Sequence, residues 1–332
     1  MVPAMTVKFW GVRGSHPVSA AEVSHYGGNT PSIEVNIPGL VIVLDAGTGI
    51  IPLGQDLLQR RKGKSAAPPI VLLLSHLHHD HIQGLPFFAP AFDSSTRLYI
   101  YGPAYKDQDL EKTLEVTMSP PFFPISLDSM VARRTIENLQ EGQVIDLPPS
   151  EFKPQTAAAS DRPVDEDTLR IRSYRSDAHP DSVFIFRLEW RGRSVVYATD
   201  IEEMDEVDPD LVRFIADCDL LIHDTQYTEE HYHGQLPERP ATAGFGHSTA
   251  EMACRVARAA GAARLALFHY EPSYSDQDVT SLEARARKCF ADTFAAREGL
   301  SVVFPALGPA DMAVRGAARP VLFHQPYIKR QD

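Results

Sequence analysis

Val71-Leu72-Leu73-Leu74-Ser75-His76-Leu77-His78-His79-Asp80-His81 joins an apolar run to a turn carrying four metal-ligating side chains in an H-x-H-x-D-H pattern. A strand sends alternate side chains to one face, so His76 and His78 are expected to point the same way. The bend that follows swings Asp80 and His81 toward a second point nearby, so a single turn can serve two cations. His79 falls between the ligand positions and is left out of the set.

Working outward, short β-branched and aromatic runs recur between Gly and Pro residues. The early ones are Val7 to Trp10, Ser32 to Ile37, Leu40 to Leu44, Ile70 to Leu74 and Leu98 to Tyr101. Later ones are Leu169 to Tyr174, Val183 to Leu188, Ser194 to Ala198, Leu220 to His223, Leu265 to Phe268 and Leu300 to Phe304. Helical patterns fall at Pro52 to Arg61, Gln108 to Met118, Thr249 to Ala260 and Asp276 to Glu298. Ser248 to Glu251 and Ser275 to Asp278 each match the S-x-x-[DE] capping box, which marks two helix starts. Strands followed by helices in each half predict an α/β fold: a four-layer αββα sandwich of two mixed β-sheets with outer helices. Residues 1–308 are read as one hydrolase-sized domain, with 148–168 as a surface connection. The tail 309–332 is expected to pack on the body or on a partner subunit, which leaves a homodimer open.

The 332 residues include 32 Lys and Arg against 44 Asp and Glu, a net charge of −12. That average field argues against nucleic acid and anionic membranes as partners and for a small-molecule substrate drawn in by local positive charge, most simply bound metal. Cys218, Cys254 and Cys289 are too far apart for a C-x-x-C pair and odd in number, which fits a reducing cytoplasm. No apolar run approaches the ~20 residues that span a bilayer.

The metal turn, followed by His179 in Asp177-Ala178-His179-Pro180, Asp200 closing Val196-Tyr197-Ala198-Thr199-Asp200, and His269 in Leu267-Phe268-His269, resembles the metallo-β-lactamase-fold hydrolases over roughly residues 6 to 305. The resemblance implies that His76, His78 and His179 hold one metal, that Asp80, His81 and His269 hold the other, and that Asp200 lies between them. Imidazoles suit zinc, with manganese or iron as alternatives, and a carboxylate can bridge two cations. Two such cations lower the pKa of a shared water and supply a hydroxide nucleophile, which puts Asp80 among the catalytic residues.

Gly246-His247-Ser248-Thr249 sits where a helix begins, so His247 and Ser248 lie near free backbone N–H groups and a positive dipole end suited to phosphate. The string resembles the phosphodiesterase branch that includes tRNase Z, which implies that His247 protonates the leaving oxygen. The acid behind it would be Asp224, where that branch carries a glutamate. Phe9-Trp10-Gly11-Val12-Arg13-Gly14-Ser15, Tyr26-Gly27-Gly28-Asn29-Thr30 and Leu44-Asp45-Ala46-Gly47-Thr48-Gly49 are similar to cyclic-phosphodiesterase-like enzymes. Asn29 and Thr30 are candidate substrate contacts. Phe122 and Phe123, set among Pro120, Pro121 and Pro124, are candidate walls for a nucleobase. The expected activity is hydrolysis of a small, cyclic phosphodiester. A tRNase Z-like endoribonuclease is the first alternative and a lactonase or thioesterase the second.

Overall fold

The alternation along the central strands dictates the layering. In Leu40–Leu44 and Ile70–Leu73, the residues Leu40, Ile42, Leu44, Val71 and Leu73 belong to the main core between the sheets, whereas Val41, Val43, Ile70 and Leu72 join a second core with Ile50, Leu53, Leu110 and Leu114. Both faces of these strands are therefore covered, as their unbroken apolar runs require. The computed structural model describes residues 4–62, 67–158, 164–203 and 207–308; the tail 309–332 lies outside the described residues.

One sheet has seven strands in the order Ser301–Pro305, Ala4–Gly11, Ser32–Ile37, Leu40–Leu44, Ile70–Leu73, Arg97–Gly102 and Arg133–Asn138. The other has eight, in the order Thr293–Ala295, Leu265–Phe268, Leu220–Asp224, Arg193–Ala198, Val183–Trp190, Leu169–Ser176, Gln143–Leu147 and Gln155–Ala158. Each mixes parallel and antiparallel pairs. The helices Ile50–Arg61 and Leu110–Thr117 contribute to the outer core of the first sheet, and Ala250–Ala259 and Asp276–Cys289 pack on the second. This is the expected α/β sandwich.

Three local expectations are corrected. The last helix stops at Cys289, not Glu298, because Phe290 turns extended and Thr293–Ala295 pairs parallel with Leu265 to Leu267. Gln155–Ala158, within the supposed connection, is a strand antiparallel to Gln143–Leu147. The first capping residue is Thr249, which accepts from the Met252 N–H, so the helix starts one residue later than its box suggested.

Among the described residues, no helix is long and apolar enough to cross a membrane.

Candidate metal centre

Asp45, the metal turn, Asp200, Asp224 and His269 all lie at or just beyond the carboxyl ends of strands that run parallel to a neighbour, so both sheets deliver side chains to one edge. The hairpin between Leu169–Ser176 and Val183–Trp190 adds His179. The strand Ile70–Leu73 ends before the histidines, so His76 and His78 converge from the turn and not from strand alternation, their rings 4.5 Å apart. His78 caps the short helix His79–Ile82, which carries Asp80 and His81 inward and leaves His79 exposed.

Among the described residues, two clusters take up the expected ligands, each with its ligand atoms within 4.8 Å of one another: His76, His78 and His179; and Asp80, His81, Asp200 and His269; a third group, Asp200, Asp224, His247 and His269, overlaps the second. Asp200 faces both. Its Oδ2 lies 3.6 Å from His76 Nε2 and 3.9 Å from His179 Nε2, while its Oδ1 lies 3.3 Å from His81 Nε2 and 3.4 Å from His269 Nε2.

Neighbours fix which nitrogen is free on three of the rings. His81 Nδ1 donates to Asp45 Oδ2 at 2.8 Å, and His179 Nδ1 donates to the Gly246 carbonyl at 2.9 Å. The Ser75 hydroxyl donates to Asp45, so it accepts from His76 Nδ1 at 3.1 Å. Each ring is left with an Nε2 lone pair turned inward, the tautomer a metal requires. His76 Nε2 is buried with no hydrogen-bond partner, which a cation would satisfy. Imidazoles and carboxylates in this proportion fit zinc or a neighbouring divalent metal.

Burial opposes ionisation of Asp80 and Asp200, yet positive charge on the facing rings, which a cation would replace, holds both carboxyls well below the usual range: His81 and His269 for Asp80, and His269, His81 and His76 for Asp200. Asp45, Asp200 and His269 adopt left-handed backbone, at φ 60°, 51° and 66°. Such strain costs roughly 1–3 kcal/mol per residue and concentrates where geometry serves function.

His247 lies over the seam, its ring stacked on His269 at 5.1 Å and edge-on to His179 at 5.0 Å. Its Nδ1 donates to Asp224 Oδ2 at 2.6 Å. Burial disfavours the imidazolium, but the fully buried Asp224 outweighs it, with Asp200 and Asp80 adding, and His247 is pushed up to about 9. Asp224 thus favours the protonated form of a ring that lies against a histidine of each cluster.

Other candidates are placed differently. Asn29 donates through its backbone and side chain to Glu298, and the buried Thr30 exchanges hydrogen bonds with Thr48, so both hold loops together. Ser248 is fully buried, donating to Ile201 O and accepting from Glu203 N–H. Phe122 is exposed, and Phe123 packs edge-on to Phe87 at 5.4 Å, beside the segment that follows the metal turn. Sequence reasoning gave no role to Asp45, which accepts from His81, from Tyr197 and from both the N–H and hydroxyl of Ser75. A buried acid ending an apolar strand was the available signal.

The Beta-lactamase superfamily domain matches residues 41–270. The chain is 25% identical over 300 residues to Ribonuclease Z of Exiguobacterium sibiricum, covering 83% of this chain and 96% of that protein. Its fold is similar to that of the metallo-beta-lactamase fold protein YhfI from Bacillus subtilis, with a TM-score of 0.61 and 20% identity over 90% of this chain and 99% of that one. It is also similar to human tRNase Z, short form, with a TM-score of 0.57 and 19% identity over 90% and 99%. The similarity to a ribonuclease along most of the chain overturns the expectation that nucleic acid is not a partner. Net charge failed as a guide because it averages over the whole surface and omits the charge of bound metal.

Proposed function

We propose that this chain, which belongs to the Beta-lactamase superfamily domain family, hydrolyses phosphodiester bonds in RNA, with transfer RNA as the substrate class, using two divalent metal ions of which zinc fits best. His76, His78 and His179 would hold one ion, Asp80, His81 and His269 the other, and Asp200 both. The ions would supply Lewis acidity and an activated water.

The observation that carries the reading is the His247–Asp224 pair beside the clusters. An RNA phosphodiester releases a poor alkoxide leaving group, which needs a proton in the transition state. His247 Nε2 supplies it, and Asp224 keeps the ring charged and turned. Hydrolysis of a thioester releases a thiolate that leaves without a proton and so gives this pair no comparable task. Near the site, Phe87, Phe122 and Phe245 are exposed, and they offer faces on which unpaired bases stack, at roughly 1–3 kcal/mol per base.

The test is a panel of tRNA carrying a 3′ extension, 2′,3′-cyclic nucleotides and a lactone, each given to metal-loaded protein. Endonucleolytic cleavage of the extended tRNA, with the highest kcat/KM of the panel, is expected. Hydrolysis of the cyclic nucleotides alone would replace RNA by the small cyclic substrate, and turnover of the lactone alone would remove the phosphodiesterase reading.

A further inference from the structure

We infer that Glu202 is a positioning residue that locks the loop bearing Gly246 and His247 onto the metal clusters, an inference that rests on the metal-hydrolase reading above. One carboxylate gathers three donors from that loop and its base: Oε1 accepts from Tyr232 Oη at 2.6 Å and from Gly244 N–H at 2.7 Å, and Oε2 accepts from Gly246 N–H at 2.8 Å. Both glycines are in left-handed backbone, at φ 85° and 87°, so the chain curls around the carboxylate.

The curl has consequences on either side. The Gly246 carbonyl accepts from His179 Nδ1, and a Cβ on Gly246 would lie 2.3 Å from that atom. His247 is the next residue. The Glu202 N–H also reaches the carbonyl of Ala178, the residue before His179. Glu202 thus ties together the backbone after Asp200, the orientation of His179 and the placement of His247, while touching none of the inward-facing ligand atoms.

E202Q distinguishes positioning from general support. An amide oxygen at the Oε1 position keeps Tyr232 and Gly244, but an amide NH2 then opposes the Gly246 N–H and breaks that link alone. Removing an outer partner of a ligating histidine typically weakens metal binding about 10–100-fold, so E202Q is expected to lose zinc to a competing chelator at about tenfold lower chelator activity. Its kcat should fall about tenfold with KM little changed. Y232F breaks a different bond to the same carboxylate and is expected to keep metal affinity and kcat within about twofold.

G246A strikes the same joint from the other side and should weaken zinc binding at least as much as E202Q. Equal zinc affinity in E202Q and wild type, or equal losses in E202Q and Y232F at matched thermal stability, would overturn the inference. If wild type binds no zinc, it is the metal-hydrolase reading that fails, and the chelator assay separates that outcome without any substrate.

Discussion

The His76–His78–His179 cluster and the Asp80–His81–Asp200–His269 cluster meet at one aspartate but are built differently. The first is three imidazoles, one of which, His78, has 41% of its side chain exposed and Asp181 4.0 Å away at the rim. The second lies wholly in the interior, adds the carboxylate of Asp80 to the shared Asp200, and leans on the buried Asp45. Anionic, preorganised ligands hold a divalent cation more tightly than neutral, partly solvated ones. On the proposed two-metal reading, an ion in the interior cluster would be held more tightly than one at the mouth.

His247 offers the largest test, since its ring touches one histidine of each cluster. His247→Ala is expected to lower kcat by about 10²–10⁴-fold while leaving the metal content found by elemental analysis unchanged. His78→Ala should empty the mouth cluster and lose activity with it. A His247→Ala enzyme with full turnover would remove the proton donor from the mechanism.

A smaller effect probes the contrast itself. Asp45 contacts His81 directly but reaches His76 only through Ser75. In a chelator titration of Asp45→Asn, the tighter step should weaken by about 10–100-fold and the looser step by much less. Equal shifts in both steps would erase the distinction between the clusters.

The ligands were legible because their spacing is local and their order along the chain is regular. Strands such as Ser32–Ile37, Leu40–Leu44 and Leu265–Phe268 were legible to the residue because apolar runs end at turn formers. Thr293–Ala295 was hidden because its neighbours continue a helix-compatible, Ala-containing pattern, and only pairing with Leu265–Phe268 decides otherwise. The partners of Asn29, Thr30 and Ser248 were hidden for a related reason: a polar residue in a loop next to a site reads as a substrate contact, while its hydrogen bonds to groups far away in sequence leave no local mark. Glu202 carries no local mark at all, since its partners lie 30 to 44 residues downstream.

Glu203 provides the smallest effect and the control, being a buried acid just beyond Asp200 that belongs to neither cluster. Burial, with repulsion from Asp208 added, pushes its carboxyl from 4.5 up to about 7, against the N–H of Asp208 and the charge of Arg255. The folded protein binds this proton more tightly than the unfolded chain does. The stability the group contributes is therefore complete below about pH 4.5 and is lost as pH rises through about 7. Glu203→Gln removes the titration while keeping an acceptor for Asp208. Between about pH 4 and pH 8, the unfolding free energy of the variant relative to wild type should rise by roughly 2–3 kcal/mol in urea titrations. Zinc affinity should not move with it, because a buried acid outside both clusters has no ligand to orient. A flat difference across that range would mean that Glu203 ionises freely in the folded protein, and a shift in zinc affinity would extend the interior site beyond Asp45.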